Sequence, residues 1–459
     1  MRLYQKIRKD NAMQGFIKVH KDNWNFVNSE TGDIFVPFGS NYFDPETGWA
    51  PKLWRMFDKD RVNEHFNKMA DIGVNVARIF TTTASFQPKA DIIPEESLQK
   101  LDSMIQIANK YNIRLILTGP DHWEGSPDYW IPDKYAGEPA LNALEFFWHE
   151  IAKRYKNEKT IFSWDLLNEP EIHWNNEIMT QKWRTWILDK YGDHKSLSKS
   201  WGILNENETI ENVEIPQDKI NAGDQRLYDY QLFREHIAYE WSYRQVKAIK
   251  AIDNNHPVTI GLIQWSFPLL RAPWGEKGNQ PGRYAGFNPI KLAPILDYIC
   301  VHFYPILGDP GEPELFKRNT QYLQAVVNFC YAKKPVVIEE FGWYGGGEMD
   351  GKFRTEEYQS NWNTNVVKST LDLASGWLVW AYADTPTSTD LTKFGGLYTT
   401  DGKIKEWGKS FRVLGENIKN SEMKRSDKIK QVDLDERLIL TANVHDIYDE
   451  YLTKSGINK

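Results

Sequence analysis

The chain has 459 residues, 41% of them apolar, and a formal net charge of −7. That length and apolar share suit one large α/β unit, and the acidic balance excludes the basic stripe of a nucleic-acid-binding protein. Only two cysteines occur, Cys300 in an apolar strand pattern and Cys330 in a helix pattern. Both are expected as buried free thiols, not as a secreted disulfide framework.

Met1 to Asp10 carries charge with no apolar run behind it, so no signal peptide is expected and the chain reads as cytoplasmic. A secreted chain whose leader had been removed would read the same way. No stretch approaches the ~18 apolar residues of a membrane span, so neither membrane nor nucleic acid is expected as a partner. The aromatic count is unusual, with 19 Trp, 22 Tyr and 22 Phe. Indole rings in loops suit the flat apolar face of a pyranose, although the core of a large barrel also consumes many aromatics.

In chain order, Phe16 to Ile34 alternates apolar and polar residues around a turn at Glu30-Thr31-Gly32-Asp33, which predicts a β-hairpin capping a barrel floor. Strand one is Phe35 to Gly39. A helix from Arg61 to Ile72 puts Val62, Phe66, Met69 and Ala70 on one face, and strand two follows at Val74 to Phe80. The stripe Leu98, Leu101, Ile105 and Ala108 marks the next helix, and strand three is Arg114 to Gly119. A helix over Leu141 to Tyr155 leads to strand four, Ile161 to Leu167. A long helix from about Arg226 to Asp253 precedes strand five, Val258 to Ile263, and strand six is Tyr298 to Tyr304. A helix from about Glu314 to Tyr331 leads to strand seven, Val336 to Glu340. The Glu356 to Leu373 helix leads to strand eight, Gly376 to Trp380, and a last helix begins near Lys405.

Eight strands alternating with helices predict an α/β protein closed as a (β/α)8 TIM barrel. An open doubly wound sheet is the runner-up, but the Gly-x-Gly-x-x-Gly that often marks it is missing after strand one. The expected organisation is a hairpin over 1–34, a barrel over 35–416 with an insertion at 171–222, and a charged helical or β-capped appendage over 417–459. The insertion is rich in tryptophan, with Trp174, Trp183, Trp186 and Trp201.

Two strings carry the chemistry. Trp164-Asp165-Leu166-Leu167-Asn168-Glu169-Pro170 and Val336-Val337-Ile338-Glu339-Glu340-Phe341-Gly342 each deliver a glutamate at the C-terminal end of a buried strand. Only a closed fold brings residues so distant together, and two facing carboxylates are what glycosidic bond cleavage requires. The mouth of such a barrel is ringed by strand ends. There stand Arg78, His122, Trp123, Asn168, Glu169, His302, Tyr304, Glu340 and Trp380.

This set resembles clan A of the glycoside hydrolases, and most of all family 5, the cellulase and mannanase family. The matching marks are Asn168-Glu169-Pro170, His302-Phe303-Tyr304-Pro305, Glu340-Phe341-Gly342 and Trp380, over about Phe35 to Phe411. The resemblance implies a retaining β-glycosidase with Glu169 as acid/base and Glu340 as nucleophile. It gives Arg78 and Tyr304 the task of keeping the nucleophile ionised, and Asn168 a hydrogen bond to the sugar's 2-hydroxyl. His122 and His302 become subsite ligands and orienters of the acid/base, and Trp380 the floor of the reacting subsite. Trp123 and Trp174 complete the expected substrate-binding set. Carboxyl groups about 5–5.5 Å apart serve retention, and at that distance an ionised Glu340 helps Glu169 keep its proton. Glu339 is expected on the opposite face of its strand, as a structural or salt-bridged group.

Each residue has a plainer alternative. Arg78 could be a core charge satisfied by a carboxylate. His122 and His302 could join Asp121 at a metal, but barrel metal hydrolases usually carry His-x-His on strand one, and Phe38-Gly39-Ser40-Asn41 does not. No metal or cofactor is therefore expected. Asp165 reads as a buried structural group. Gly345-Gly346-Gly347, without Lys-Ser/Thr behind it, reads as a flexible mouth loop and not a phosphate cradle.

Substrate is less legible. The insertion string Trp183 to Gly192, with Ser200-Trp201-Gly202, is similar to family 42 β-galactosidases. It could close one end of the cleft or extend it with stacking surfaces. β-Mannan or β-glucan is the favoured substrate class. An exo-acting β-mannosidase, β-glucosidase or β-galactosidase on imported oligosaccharides is the alternative. A non-catalytic carbohydrate-binding barrel is the competing class, but it would be expected to lack one of the glutamates.

Overall fold

The computed structural model describes residues 13–48, 50–202, 204, 207–216, 225–263, 286–305, 308–435 and 444–457. Expectations for residues 1–12, for the end of the insertion at 217–222, and for 436–443 and 458–459 of the tail lie outside them.

The first strands are β1 (Ile17–Val19), β2 (Phe26–Asn28) and β3 (Ile34–Phe35). They form a three-stranded antiparallel sheet, where one hairpin was expected. The additional turn is made by Asp22, whose Oδ1 accepts from the amides of Trp24 (2.8 Å) and Asn25 (2.9 Å), a local bond that bends the chain. Phe35 pairs with Phe26 in this sheet, so the barrel begins later, at Phe38. Pro37, with no amide hydrogen to give, separates the two.

The barrel strands are β4 (Phe38–Asn41), β5 (Val76–Thr82), β6 (Arg114–Asp121), β7 (Ile161–Asn168), β8 (Val258–Gly261), β9 (Ile299–Phe303) and β10 (Val336–Phe341). A small hairpin, β11 (Gly347–Met349) and β12 (Lys352–Arg354), precedes the eighth, β13 (Gly376–Val379). All eight pair in parallel in the order β8-β7-β6-β5-β4-β13-β10-β9. The seam between β8 and β9 is closed by Asp297 N to Val258 O (2.9 Å), by His302 N to Leu262 O (2.8 Å) and by the Ile263–His302 bridge. An open sheet would leave those edges apart, so the barrel is the fold.

Alternation decides what each strand buries. Val76, Ile116, Phe162, Tyr298, Cys300, Val337 and Leu378 point inward at the lower end and join Ile17 and Phe26 in one cluster. The N-terminal sheet therefore plugs the barrel floor. Outward residues meet the helices, as Val62, Phe66 and Met69 do from the helix Lys59–Asp71, which Asp58 caps through the amides of Asp60 and Arg61. Cys300 and Cys330 are buried and free.

The insertion folds as helices Glu177–Tyr191 and His194–Trp201, lying against the helix Gln225–Lys250. Asp229, fully buried on the long helix, accepts from Lys190 Nζ (2.7 Å), Trp201 Nε1 (2.7 Å) and Gln225 Nε2 (2.8 Å). Trp183 is fully buried between Trp186 and Trp201, with ring centroids 5.8 and 6.0 Å away and nearly parallel. Trp183 therefore packs the insertion on itself and is no free stacking surface. The tail places the helix Val444–Ser455 on the helix Pro313–Cys330, where Asn328 Nδ2 donates to the Tyr451 hydroxyl (2.8 Å). Among the described residues no helix is long and apolar enough to cross a membrane.

Candidate active site

The site is assembled around one guanidinium. Arg78 is the third residue of β5, not its last, and its fully buried side chain reaches up the barrel interior. Nη1 donates to Glu340 Oε1 (2.6 Å) and Asn41 Oδ1 (3.1 Å). Nη2 donates to Asp165 Oδ2 (2.7 Å) and Asn168 Oδ1 (3.0 Å), and Nε to Asp165 Oδ2 (3.0 Å). The group lies 4.7 Å from the Phe80 ring centroid. Burial alone would lower its pKa, but Glu339, Asp165 and Glu340 raise it far above the usual value. The guanidinium is thus a core charge satisfied by Asp165 that also contacts Glu340.

Asp165 is the structural anchor expected of it. It also accepts from Thr118 Oγ1 (2.7 Å) and from the amide of Gly261 (2.7 Å). Gly261 has to be glycine, since a Cβ there would lie 2.6 Å from Nη2 of Arg78. Neither Gly261 nor Asn41 belongs to a sequence motif, and Asn41 could have been noticed only as the polar residue ending the first barrel strand.

Glu340 has both oxygens engaged, the second by the Tyr304 hydroxyl at 2.8 Å. Burial outweighs the opposing pull of Arg78 and the Tyr304 hydrogen bond, so its carboxyl is raised to about 7. Glu169 stands opposite on a left-handed backbone, φ +46°, with its amide bonded to Gly261 O (2.9 Å). Such a conformation costs a non-glycine residue about 1–3 kcal/mol and turns the side chain out of the strand's alternation. Its side chain is 27% exposed, against 5% for Glu340. The desolvating cleft and then the nearby Glu340 hold its pKa well above the usual range. His302 Nδ1 lies 2.9 Å from Glu169 Oε1 and 3.5 Å from Glu340 Oε1. Burial and then Arg78 keep the imidazole neutral.

Glu339 corrects the expectation drawn from alternation. It faces into the barrel with Val337, beneath the site, 3.4 Å from His302 Nε2 and 3.5 Å from Arg78 Nε. The strand register slips between Ile338 and Phe341, and this bulge swings Glu340 inward as well. Depth, not opposite faces, separates the two glutamates.

Trp123, Tyr304 and Trp380 share an aromatic cluster with Phe43 and Phe80. Trp380 is held by Nε1 donating to Thr392 Oγ1 (2.9 Å). His122 is 47% exposed on its side chain and paired with Asp121 at 2.8 Å, not with either glutamate. Trp174 stands half-buried against Tyr230 and Phe233 of the long helix. The Gly345–Gly347 loop is pinned where a flexible one was expected. The buried Lys405 ammonium donates to Gly345 O (2.7 Å), Phe394 O (2.8 Å) and Asp384 (2.9 Å).

Among the described residues, Glu169, His302 and Glu340 bring one ligand atom each within 4.8 Å of one another. Arg78 and Tyr304 already hold both Glu340 oxygens, and a guanidinium 2.6 Å away repels a cation. The hydrogen-bonded arrangement accounts for the cluster.

From residue 29 to 384 the sequence matches the cellulase family, glycosyl hydrolase family 5. The chain belongs to glycosyl hydrolase family 5. It is a retaining β-glycoside hydrolase acting on a β-glycan. Mannan endo-1,4-β-mannosidase 1 of Solanum lycopersicum is 23% identical over 342 residues, 70% of this chain and 74% of that protein. An exo-β-1,4-mannosidase from Opitutaceae bacterium strain TAV5 superposes with TM-score 0.58 at 15% identity, covering 87% of this chain and 62% of its own. A β-galactosidase from Halorubrum lacusprofundi gives TM-score 0.66 at 15% identity, over 89% of this chain and 62% of its own. Those two likenesses show a shared barrel fold.

Proposed function

We propose that this family-5 enzyme cleaves β-mannan or β-glucan chains by double displacement, with Glu340 as nucleophile and Glu169 as acid/base. The observation that carries the assignment is the contrast between the two carboxyls. Glu340 receives a donor on each oxygen, which favours the anion needed for attack. Among the described residues Glu169 is in contact with no lysine or arginine, and its raised pKa suits a proton donor. An oxygen of each lies within 4.8 Å, in keeping with the short separation of retaining enzymes.

In the first step Glu340 attacks the anomeric carbon while Glu169 protonates the departing oxygen. In the second, Glu169 takes a proton from water, which displaces the glycosyl ester with net retention. Arg78 fixes Asn168 Oδ1, leaving Nδ2 to donate to the 2-hydroxyl. The aromatic wall of Trp123, Tyr304 and Trp380 supplies the stacking floor. His122 and Trp174 are assigned to outer subsites. The mannanase relative favours β-mannan over β-glucan, and the insertion beside Glu169 favours exo action as the second reading. The barrel of 35–416 is the catalytic unit in this proposal.

Dinitrophenyl β-mannoside and β-1,4-mannan, glucan and xylan oligomers test both parts. Glu169→Ala is expected to keep turnover on the dinitrophenyl substrate and, with azide, to yield a β-glycosyl azide. Glu340→Ala is expected to be inactive and to give only the α-azide when rescued. The opposite pairing of products would reverse the two roles.

A further inference from the structure

Below the reacting pair lies a third glutamate, Glu339, for which the double displacement has no use. It is fully buried, and among the described residues its Oε1 has no hydrogen-bond partner. Its Oε2 lies 3.4 Å from Nε2 of His302. The ionisable groups facing it are Arg78 from β5, Asp165 from β7, Tyr298, Cys300 and His302 from β9 and its approach, and Glu340 beside it.

Only one of these is a cation, and its short contacts are taken. Arg78 reaches Asp165 at 2.7 Å and Glu340 at 2.6 Å, so one positive charge already serves two anions. Glu339 is left at 3.5 Å from Nε, a group whose hydrogen already points to Asp165. A third carboxylate in that position would be a buried charge sharing one distant counter-ion with two anions already bound to it, a costly state for a carboxyl group.

We propose that Glu339 is a positioning residue: as a neutral carboxylic acid it donates its O–H to Nε2 of His302, so that Nδ1 carries the ring proton and presents it to Oε1 of Glu169. Imidazole has one proton when neutral, and a donor at one nitrogen forces that proton onto the other. Oε1 of Glu169 is then committed as an acceptor, and Oε2 is the oxygen left to carry the acid's proton to the glycosidic oxygen. Burial, which pushes the Glu339 carboxyl up to about 8, agrees with its holding a proton.

With Glu169 taken as acid/base, as proposed for the reaction, the consequence is kinetic; the tautomer itself is independent of that role. Nitrogen-15 NMR of the full chain with labelled histidine, the His302 signals assigned by their loss in His302→Gln, reads the ring proton directly. Near neutral pH, Nδ1 is expected to be protonated and Nε2 to be an unprotonated acceptor. A proton on Nε2 would overturn the proposal. Glu339→Gln retains an N–H donor and removes no charge, so the tautomer and both limbs of the pH–rate profile are expected to stay in place. A fall of both limbs would reveal an ionised Glu339 and overturn it. Glu339→Leu is expected to lose about tenfold or more on mannan oligomers while hydrolysing dinitrophenyl mannoside nearly as well as the wild type. Should that variant not fold, the wild-type and Glu339→Gln measurements decide. If the leaving-group contrast fails while Nδ1 stays protonated, the acid/base role of Glu169 is wrong and the Glu339–His302 relation stands.

Discussion

Nη1 of Arg78 donates a 2.6 Å hydrogen bond to Oε1 of Glu340, while the remaining donors of the same guanidinium go to Asn41, Asp165 and Asn168. One side chain thus joins the floor of the site to the carboxylate proposed as nucleophile. A fixed planar fork can do this, and the point charge of a lysine cannot.

Replacing Arg78 tests that connection. Arg78→Met would strand Asp165 and Glu340 without their counter-ion in a dry interior. Removing one partner of a buried ion pair costs about 3–5 kcal/mol, so a large fall in thermal midpoint is expected. Arg78→Lys keeps the charge but not the geometry, and is expected to lose at least about a hundredfold in kcat. Near-normal turnover by the lysine variant would mean that charge alone supports the nucleophile.

Tyr304 offers a gentler probe of the same carboxylate. Its hydroxyl donates to Glu340 Oε2 at 2.8 Å and so favours the ionised form. In Tyr304→Phe the anion loses that bond, and the Glu340 pKa rises. The acid limb of kcat/KM against pH is expected to move up by about one unit, since hydrogen bonds to charged groups are worth about 1.5–3 kcal/mol. An unmoved acid limb would mean that a different group sets it.

Much of this was legible in the sequence because period decides strand from helix. The runs Val76–Thr82 and Ile161–Asn168 are too apolar and too short for anything but buried strands, and the stripes at Val62-Phe66-Met69 and Leu101-Ile105-Ala108 are helical. Residues at strand ends converge in a barrel, so the meeting of Glu169, His302, Tyr304 and Glu340 followed from topology. What failed was whatever depends on a local departure from period. A bulge at Glu339 leaves no mark in the residue types, and alternation therefore misplaced that side chain. Tryptophan was ambiguous for another reason. Trp183 in a core and a tryptophan under a sugar are the same residue, and only the stack on Trp186 and Trp201 separates them. Asn41 and Gly261 matter through what they touch, which no motif records.

That stack gives a prediction with two readouts. Trp183→Ala removes a fully buried indole from between two others, and a loss of about 3–5 kcal/mol of stability is expected. Hydrolysis of mannan oligomers below the melting transition is expected to be unchanged. A variant of normal stability with a raised KM for long oligomers would show instead that the insertion binds sugar through this residue.

The last prediction concerns the coupling between Glu169 and Glu340. The cleft's desolvation is the main reason that Glu169 holds its proton, and the charge of Glu340 is the next. Glu340→Gln removes that charge and nearly preserves the shape. The neutral form of Glu169 then loses one of its supports, so its carboxyl is expected to titrate at lower pH, by about one unit or more for like charges at this range. It should still titrate above an exposed glutamate, because the desolvation remains. Carbon-13 NMR of labelled glutamate follows the titration in both proteins, and the alkaline limb of the wild-type pH–rate profile should match the higher value. Identical Glu169 titrations with and without the Glu340 charge would mean that the two groups do not share a site, and the double displacement would lose its physical basis.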